Sequence, residues 1–483
     1  MFRRTEDGQV RLVLDGRFLD STQAVRHGIP SWLSTLLQSP MVRPSTLRAP
    51  PAYLGTLRGY QEEALGFAEH RSRTMLALDC GLGKTHIGIA YMLLHLPAMV
   101  VCPASLKDNW LEHILLYAPS AVDQITIVSY NKMTALEGIQ CVVADEAHYL
   151  KHEMSQRSKL FAGLLTRCPR ALLMTGTPAQ RNTDLFHLLK LLDPVHFRQF
   201  FHYGHKKVAD QLYFADRYCQ PQPVWIGGAR HGFKFTTNRN SEELALICEH
   251  YMLRMKKDDV VQLPDLQREG VVIGKTEDPK YFKDEWEEIE TIRETKGSRL
   301  ADAKMLALCR ETSRLKIPYV GPYLSAWMQS HPYEKVIVFY HHRDIGNQIV
   351  SQLGPTTGHI RIDGKTTMKK RIKLLQTFKT DPACTAGVFS MCATSTGLNL
   401  QFCTKIVFVE ITFLSVHHTQ AEARIHRIGQ EHAVSVDYLI LDGTTDNLLW
   451  RALSAKRHTE KVLFDSIPVS RHNTDLEEDL EPL

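Results

Sequence analysis

Residues 76–85 read Leu76-Ala77-Leu78-Asp79-Cys80-Gly81-Leu82-Gly83-Lys84-Thr85, an apolar run that breaks into glycines and ends on an ammonium and a hydroxyl. Glycines let a backbone wrap a phosphate closely, and a helix beginning at Lys84 would aim its N–H groups and the positive end of its dipole at that phosphate. Lys84 would then reach the outer phosphates and the Thr85 hydroxyl would ligate magnesium. The general form of such a loop carries a glycine five residues before Gly83, where this chain has Leu78. Taken by itself, the segment is also readable as a plain strand-to-helix turn. That alternative weakens at Cys141-Val142-Val143-Ala144-Asp145-Glu146-Ala147-His148, an apolar strand ending in two acids. Asp145 would hold the metal through water and Glu146 would polarise an attacking water, although an acidic pair after a strand also serves as an ordinary helix cap. The pair stands 61 residues beyond Lys84, with three intervening βα units, which would bring both to one sheet edge.

Two further segments belong with these. Leu173-Met174-Thr175-Gly176-Thr177-Pro178 follows another apolar run, and Gln420–Gln430 sets Arg424 and Arg427 three apart, on one face of a predicted helix. Paired arginines can grip a transferring γ-phosphate bidentately from a facing domain. Each arginine alone would be only a solvated helix face.

Positioning such groups requires parallel α/β layers, and two regions of the chain have that pattern. In the first, strands are predicted at Thr74–Leu78, Met99–Cys102, Ile125–Ser129, Cys141–Ala144 and Ala171–Met174, with helices such as His86–His95 and Ser105–Tyr117. In the second, strands are predicted at Lys335–Phe339, His359–Ile362, Gly387–Ser390, Lys405–Val409 and Val434–Leu439. Its helices are Arg343–Leu353, Met368–Lys379, His417–Arg427 and Asp446–Leu463. Between them, Phe197 to Lys316 is first aromatic and basic, then highly charged with Phe282, Trp286, Ile289 and Ile292 at helical spacing. Those aromatics read as the core of a helical insertion rather than as a stacking platform for bases. Ahead of everything, Val10–Leu14 and Arg17–Leu19 flank Asp15-Gly16, the signature of a tight hairpin.

Composition bounds the rest. A chain of 483 residues with 43% hydrophobic residues is large enough for two to four domains with sizeable cores. No apolar run approaches the ~20 residues of a membrane span, and the N-terminus lacks a signal-peptide core, so the expectation is a soluble intracellular protein without a membrane partner. The net charge is +5, and five acids crowd the last thirteen residues, so the body is more basic than the whole and permits a polyanionic partner. Among ten cysteines the closest spacing is eight, which excludes zinc ribbons, structural zinc fingers and a thioredoxin-type pair. They read as reduced, packed thiols. His341-His342 has no third ligand at useful spacing and reads as an element fixing a strand end.

The ordered set Leu57–Gln61, Asp79–Thr85, Val101–Leu106, Asp145–His148, Thr175–Pro178 and Arg424–Gln430 resembles a Swi/Snf-type superfamily-two ATPase. Tyr218-Cys219, Met252–Arg254, Asp258–Pro264, Lys316–Val320, Phe339–His342 and Arg361–Gly364 add a likeness to its annealing-helicase (HARP-type) branch. That resemblance implies an α/β fold of two RecA-like lobes, each a mostly parallel sheet with helices on both faces. It implies ATP and Mg2+ bound between the lobes and double-stranded or branched DNA across both, with a single-strand-binding protein as a further partner. The division it implies is an accessory segment at 1–55, lobe 1 at 56–196, a helical insertion and linker at 197–316, lobe 2 at 317–465 and an acidic, disordered tail at 466–483.

By the same resemblance, Gln61 would contact adenine, and Asp79, Cys80, Gly81, Leu82, Gly83, Lys84 and Thr85 would form the nucleotide loop. Thr85 and Asp145 would serve the metal, and Glu146, Arg424 and Arg427 the hydrolysis. Thr175, Thr177, Ser395, Gly397 and Asn399 would touch DNA and couple it to ATP. An Asn-Pro pair usual before the arginine segment is replaced here by Leu414-Ser415-Val416, and no accessory HARP domain is visible. The activity implied is an ATP-dependent duplex translocase that anneals or remodels forked DNA in repair and replication-fork restart, nuclear in a eukaryote. A protein-displacing remodeller of chromatin or polymerase complexes is the alternative. An inactive DNA-binding clamp is disfavoured, because the residues named for catalysis are all chemically competent.

Overall fold

The computed structural model describes residues 2–4, 10–14, 17–19, 36, 45–134, 137–178, 182–198, 210–219, 221–226, 229–235, 239–295, 298–354, 357–391, 400–412 and 415–454. The chain divides into two compact units, the first drawing on Met1–Gln222 and Phe233–Gln262, the second on Pro223–Gly232 and Leu263–Thr459. At the N-terminus β1 (Phe2–Arg4), β2 (Val10–Leu14) and β3 (Arg17–Leu19) pair antiparallel in that order, so the predicted hairpin forms and gains a third strand. Asp15 and Gly16 lie outside the described residues.

The first unit then lays down β4 (Arg73–Leu78), β5 (Ala98–Cys102), β6 (Ile125–Ser129), β7 (Cys141–Asp145) and β8 (Arg170–Met174). A separate two-stranded sheet pairs β9 (Pro221–Ile226) with β10 (Ala229–Phe235), and β11 (Met252–Met255) follows. The main sheet has six parallel strands ordered β11-β4-β8-β7-β5-β6. Strands buried on both faces read as unbroken apolar runs, which is why β4, β5, β7 and β8 are each legible to within a residue at either end, and the half-buried edge strand β6 keeps an apolar alternation that is equally legible. β11 is not: Arg254 interrupts its run, yet the strand is buried throughout and pairs Met252–Met255 with Met75–Leu78.

The second unit holds β12 (Leu266–Lys275), β13 (Val336–Tyr340), β14 (Gly358–Ile362), β15 (Cys384–Ser390), β16 (Lys405–Phe408) and β17 (Val434–Asp442). All are parallel in the order β12-β17-β16-β13-β15-β14. β12 carries no clear strand pattern because it is a partly exposed edge strand with Arg268 and Glu269 in it.

The stretch 197–316, expected to be an insertion of its own, is therefore shared out: β11 completes one sheet and β12 edges the other. Most of its described aromatics are core, with Tyr281 exposed. Phe214 and Tyr218 lie in the main core of the first unit. Phe282 and Ile289, on the Pro279–Thr295 helix, pack with Ala301, Met305 and Leu308 of the Ser298–Ser330 helix, with Trp286 and Ile292 against them. Side chains over 199–213 and at Trp225 lie outside the described residues.

One predicted helix is corrected. His417–Arg427 is helical only over Ser415–Glu422, so Arg424 and Arg427 follow the helix instead of sharing its face. The chain is drawn out of the helix by partners elsewhere: the Arg424 carbonyl accepts from Leu400 N–H at 3.0 Å, and the His426 ring meets the Pro264 carbonyl at 2.7 Å. The last helix runs over 445–454 within the described residues. Lys316, fully buried, ties the strand ends together: its Nζ reaches Asp446 at 2.6 Å, Val409 O at 2.7 Å and Leu439 O at 2.8 Å. Among the described residues no helix is long and apolar enough to cross a membrane, and the nine described cysteines are thiols outside any disulfide.

His187, on the Asn182–Leu192 helix, is 5% exposed, and neither ring nitrogen has a hydrogen-bond partner. Burial first, then the Lys190 and His152 charges, push its pKa down to about 4 against the opposing pull of Glu153. Between about pH 6.5 and 4 the unfolded chain binds a proton that the folded one refuses. Stability is therefore fully present above pH 6.5 and is lost as pH falls, by on the order of 2–3 kcal/mol. His187→Leu should flatten that slope, raising the melting temperature more at pH 5 than at pH 7.5. Parallel slopes for the two proteins in thermal melts would contradict this.

Candidate functional site

The parallel sheet of the first unit delivers its chemistry at the strands' C-terminal ends. β4 runs out at Leu78, still extended and fully buried, so no glycine is needed at that position. The turn comes later, where Gly81 (φ 94°) and Gly83 (φ 73°) adopt the left-handed conformation that only glycine takes without strain. Gly83 caps the Lys84–Leu94 helix, whose first turn has no side-chain cap. Lys84 Nζ donates to the Leu78 carbonyl at 2.8 Å and the Asp79 carbonyl at 3.2 Å.

The loop is held from outside by distant residues. The Leu82 carbonyl accepts from the Tyr60 hydroxyl at 3.2 Å and from Gln61 Nε2 at 3.1 Å. Gln61 is itself oriented by accepting the Arg58 N–H at 2.9 Å. From β11, Arg254 donates to the Ala77 carbonyl and to Asp79 Oδ1, both at 2.7 Å, while Lys257 N–H donates to Asp79 Oδ2 at 3.0 Å. Asp79 is thus a structural clasp as well as a loop residue.

Asp145 ends β7, two strands from β4 across β8, and is 7% exposed. Burial and then the Glu146 charge push its carboxyl up to about 6, partly offset by the Trp110 hydrogen bond and the Lys84 charge. Trp110 Nε1–H donates to Oδ2 at 2.9 Å, and Glu146 N–H to Oδ1 at 3.0 Å. Glu146 sits at φ 54°, a left-handed position that swings its carboxylate off the strand line. His148 Nδ1 lies 3.3 Å from Glu146 Oε2 and 3.2 Å from Thr175 Oγ1, and Thr175 Oγ1 also accepts the Thr177 N–H at 3.2 Å. One imidazole nitrogen therefore lies against both Glu146 and Thr175.

The donor set fits a magnesium nucleotide. An uncapped helix start, left-handed glycines and an ammonium would suit phosphate, and a desolvated carboxylate beside them would suit a divalent cation. The structure thus brings together Gln61, Asp79–Thr85, Asp145, Glu146, Thr175 and Thr177. Trp110, His148 and Arg254 stand among them, although motif chemistry alone assigns them no role. The available signal is an arginine inside an otherwise apolar run and a tryptophan in a helix beside the site.

In the second unit, Arg424 and Arg427 lie close enough that burial and then the Arg424 charge lower the Arg427 pKa. Their segment is anchored by Glu422, which takes a bidentate pair from Arg268 and the Tyr438 hydroxyl, and by Gln430 Nε2, 2.9 Å from the carbonyls of both Gln401 and Cys403. Glu410 accepts the N–H groups of His341 and His342 and the His342 ring, at 2.6, 2.8 and 2.6 Å. Burial alone would raise its carboxyl, but the hydrogen bonds and charge of His342 hold it below its ordinary range. The histidine pair fixes a strand end, as its sequence suggests. Ser395, Gly397 and Asn399 lie outside the described residues.

An SNF2-related domain model matches residues 126–313, beginning downstream of the Lys84 loop, and a helicase conserved C-terminal domain model matches 316–429. The SWI/SNF-related matrix-associated actin-dependent regulator of chromatin subfamily A-like protein 1 homolog of Caenorhabditis elegans is 30% identical over 459 residues, 86% of this chain and 63% of its own length. The DNA annealing helicase and endonuclease ZRANB3 of Homo sapiens is 29% identical over 436 residues, covering 82% of this chain and 39% of its own. The Drosophila melanogaster subfamily A-like protein 1 is 29% identical across 92% of this chain and 63% of its own. The chain thus spans less than two thirds of these relatives. A Sulfolobus solfataricus SWI2/SNF2 ATPase core in complex with dsDNA aligns with 89% of this chain and 96% of its own at 21% identity, with a TM-score of 0.38. An SNF2-related and a helicase C-terminal domain model matched in tandem, with annealing helicases among the relatives, make the chain similar to Swi/Snf-type ATPases of the annealing-helicase branch.

Proposed function

We propose that this protein is an ATP-dependent translocase on double-stranded DNA that anneals or remodels branched and forked DNA. What supports it most is the Glu146–His148–Thr175 contact, in a chain similar to proteins named annealing helicases. That contact sets the acid assigned to water activation beside a threonine segment assigned to DNA, a route by which the polymer would influence hydrolysis. Bound MgATP supplies the transferable γ-phosphoryl group and the charge that the site must stabilise. Lys84 and the amides of Gly81 to Thr85 hold the phosphates, and Gln61 is assigned to adenine. Asp145 and Thr85 would hold Mg2+. Glu146 would orient the attacking water and accept its proton, and Arg424 and Arg427 are assigned to transition-state charge. Thr175, Thr177, Ser395, Gly397 and Asn399 are assigned to DNA and coupling.

Pulling on a duplex at a junction draws complementary strands together, so each step favours re-pairing. On this reading the protein works with the genomic DNA, beside single-strand-binding protein. A second reading, displacement of proteins from DNA, is favoured by the relatives named as regulators of chromatin. A motor's cargo is set by modules outside the motor, so the two share one catalytic site.

Arg424→Lys or Arg427→Lys should cut turnover by roughly 10³-fold or more while leaving ATP affinity far less changed, because lysine lacks the bidentate fork. Unaltered turnover would return that residue to a structural role. The function itself is tested on a DNA bubble coated with single-strand-binding protein and on a nicked duplex, each with ATP. Rewinding of the bubble without strand displacement, abolished in Lys84→Ala, is the expected result. Displacement from the nicked duplex, or turnover with neither product, would move the assignment to an unwinding helicase or a protein-displacing remodeller.

A further inference from the structure

Trp110 is fully buried on the Lys107–Tyr117 helix, and its indole N–H donates to Asp145 Oδ2 at 2.9 Å. Asp145 Oδ1 takes the Glu146 N–H at 3.0 Å, and the Asp145 backbone carbonyl takes the Tyr130 hydroxyl at 2.7 Å. Each carboxylate oxygen thus has a fixed donor, which leaves the carboxylate plane a single orientation. The far edge of the indole rests on the helix that starts at Lys84: a Cβ on Gly88 would meet Trp110 Cη2 at 2.9 Å and Met174 Cε at 3.1 Å. Gly88 is four residues past Lys84, one turn along the same helix. The ring therefore spans the gap between the phosphate-loop helix and the acidic strand end, touching one with its edge and the other with its N–H.

Packing alone does not call for tryptophan here. Phenylalanine would fill most of the space without a buried N–H that needs an acceptor. The feature only the indole supplies is the hydrogen bond to Asp145.

We infer that Trp110 is a positioning residue for the metal-facing carboxylate, setting the rotation and distance of Asp145 relative to Lys84 and Thr85. The inference rests on the assignment of Asp145 to Mg2+ made above. Donors that orient a metal ligand from behind commonly govern metal affinity by 10–100-fold, roughly, when removed. Trp110→Phe keeps the ring and deletes the donor. Gly88→Ala keeps the donor and pushes the ring off the helix.

The test uses the full chain loaded with a non-hydrolysable ATP analogue and titrated with Mn2+ by electron paramagnetic resonance. In parallel, DNA-stimulated ATPase is followed as Mg2+ is varied at saturating ATP. Trp110→Phe should raise the metal midpoint roughly 10-fold in both assays while the KM for ATP moves little. Gly88→Ala should shift the midpoint in the same direction, and it carries the test alone if Trp110→Phe does not fold. In an Asp145→Asn background the already displaced midpoint should move no further when Trp110→Phe is added. A metal midpoint unchanged in folded Trp110→Phe and in Gly88→Ala, whatever the loss in melting temperature, would make Trp110 a core residue and overturn the inference. A wild-type protein that hydrolyses ATP with no divalent-metal requirement would instead overturn the assignment of Asp145, and the inference with it.

Discussion

The chemistry of the first unit depends on keeping one ionisable carboxylate, Asp145, inside the fold. A carboxylate at 7% exposure is costly unless donors and a counter-charge surround it, and its pKa near 6 records that burial dominates. The parallel sheet makes the burial workable. With β7 flanked by β5 and β8, the strand's backbone is satisfied by its neighbours, so the C-terminal end can present the Asp145 carboxylate to donors beyond the sheet. Trp110, the Glu146 amide and the Lys84 charge then supply the compensation. The residue is stable enough to stay and electrostatically starved enough to favour a cation.

The glycine loop proposed to hold phosphate faces the complementary demand. It must expose amides without collapsing, so its shape is fixed by residues far along the chain: Gln61, 21 residues before the Leu82 it holds, and Arg254, 175 residues after Asp79. Such bracing pre-organises the loop, so nucleotide binding need not order it. It also explains why a strand from the middle of the chain returns to the edge of the first sheet. β11 carries Arg254 to the loop and seals the flank of β4.

Legibility in the sequence follows the same physics. Strands buried on both faces, such as Ala98–Cys102, must be continuous apolar runs and are visible at once. The loop and the acidic pair are visible because phosphate and metal chemistry restrict residue types at fixed spacing. β11 and β12 are hidden because a buried arginine or an exposed edge breaks the run. The end of the Ser415–Glu422 helix is hidden because it is set by a distant acceptor and a distant donor, Pro264 and Leu400, that no local period encodes. Trp110 is hidden for a related reason: in the sequence it is one more apolar residue on a helix, and only the fold places its N–H on Asp145.

On the proposed function, the braced loop and the acidic pair stay idle until DNA engages the Thr175 segment, which His148 sets beside Glu146. The most direct measurement of that claim is the steady-state ATPase rate of the wild-type protein on no DNA, single-stranded DNA, blunt duplex and forked duplex, side by side. A low rate without DNA, a clear rise on duplex and the highest rate on the fork are predicted. A rate without DNA equal to the rate on the fork would contradict it.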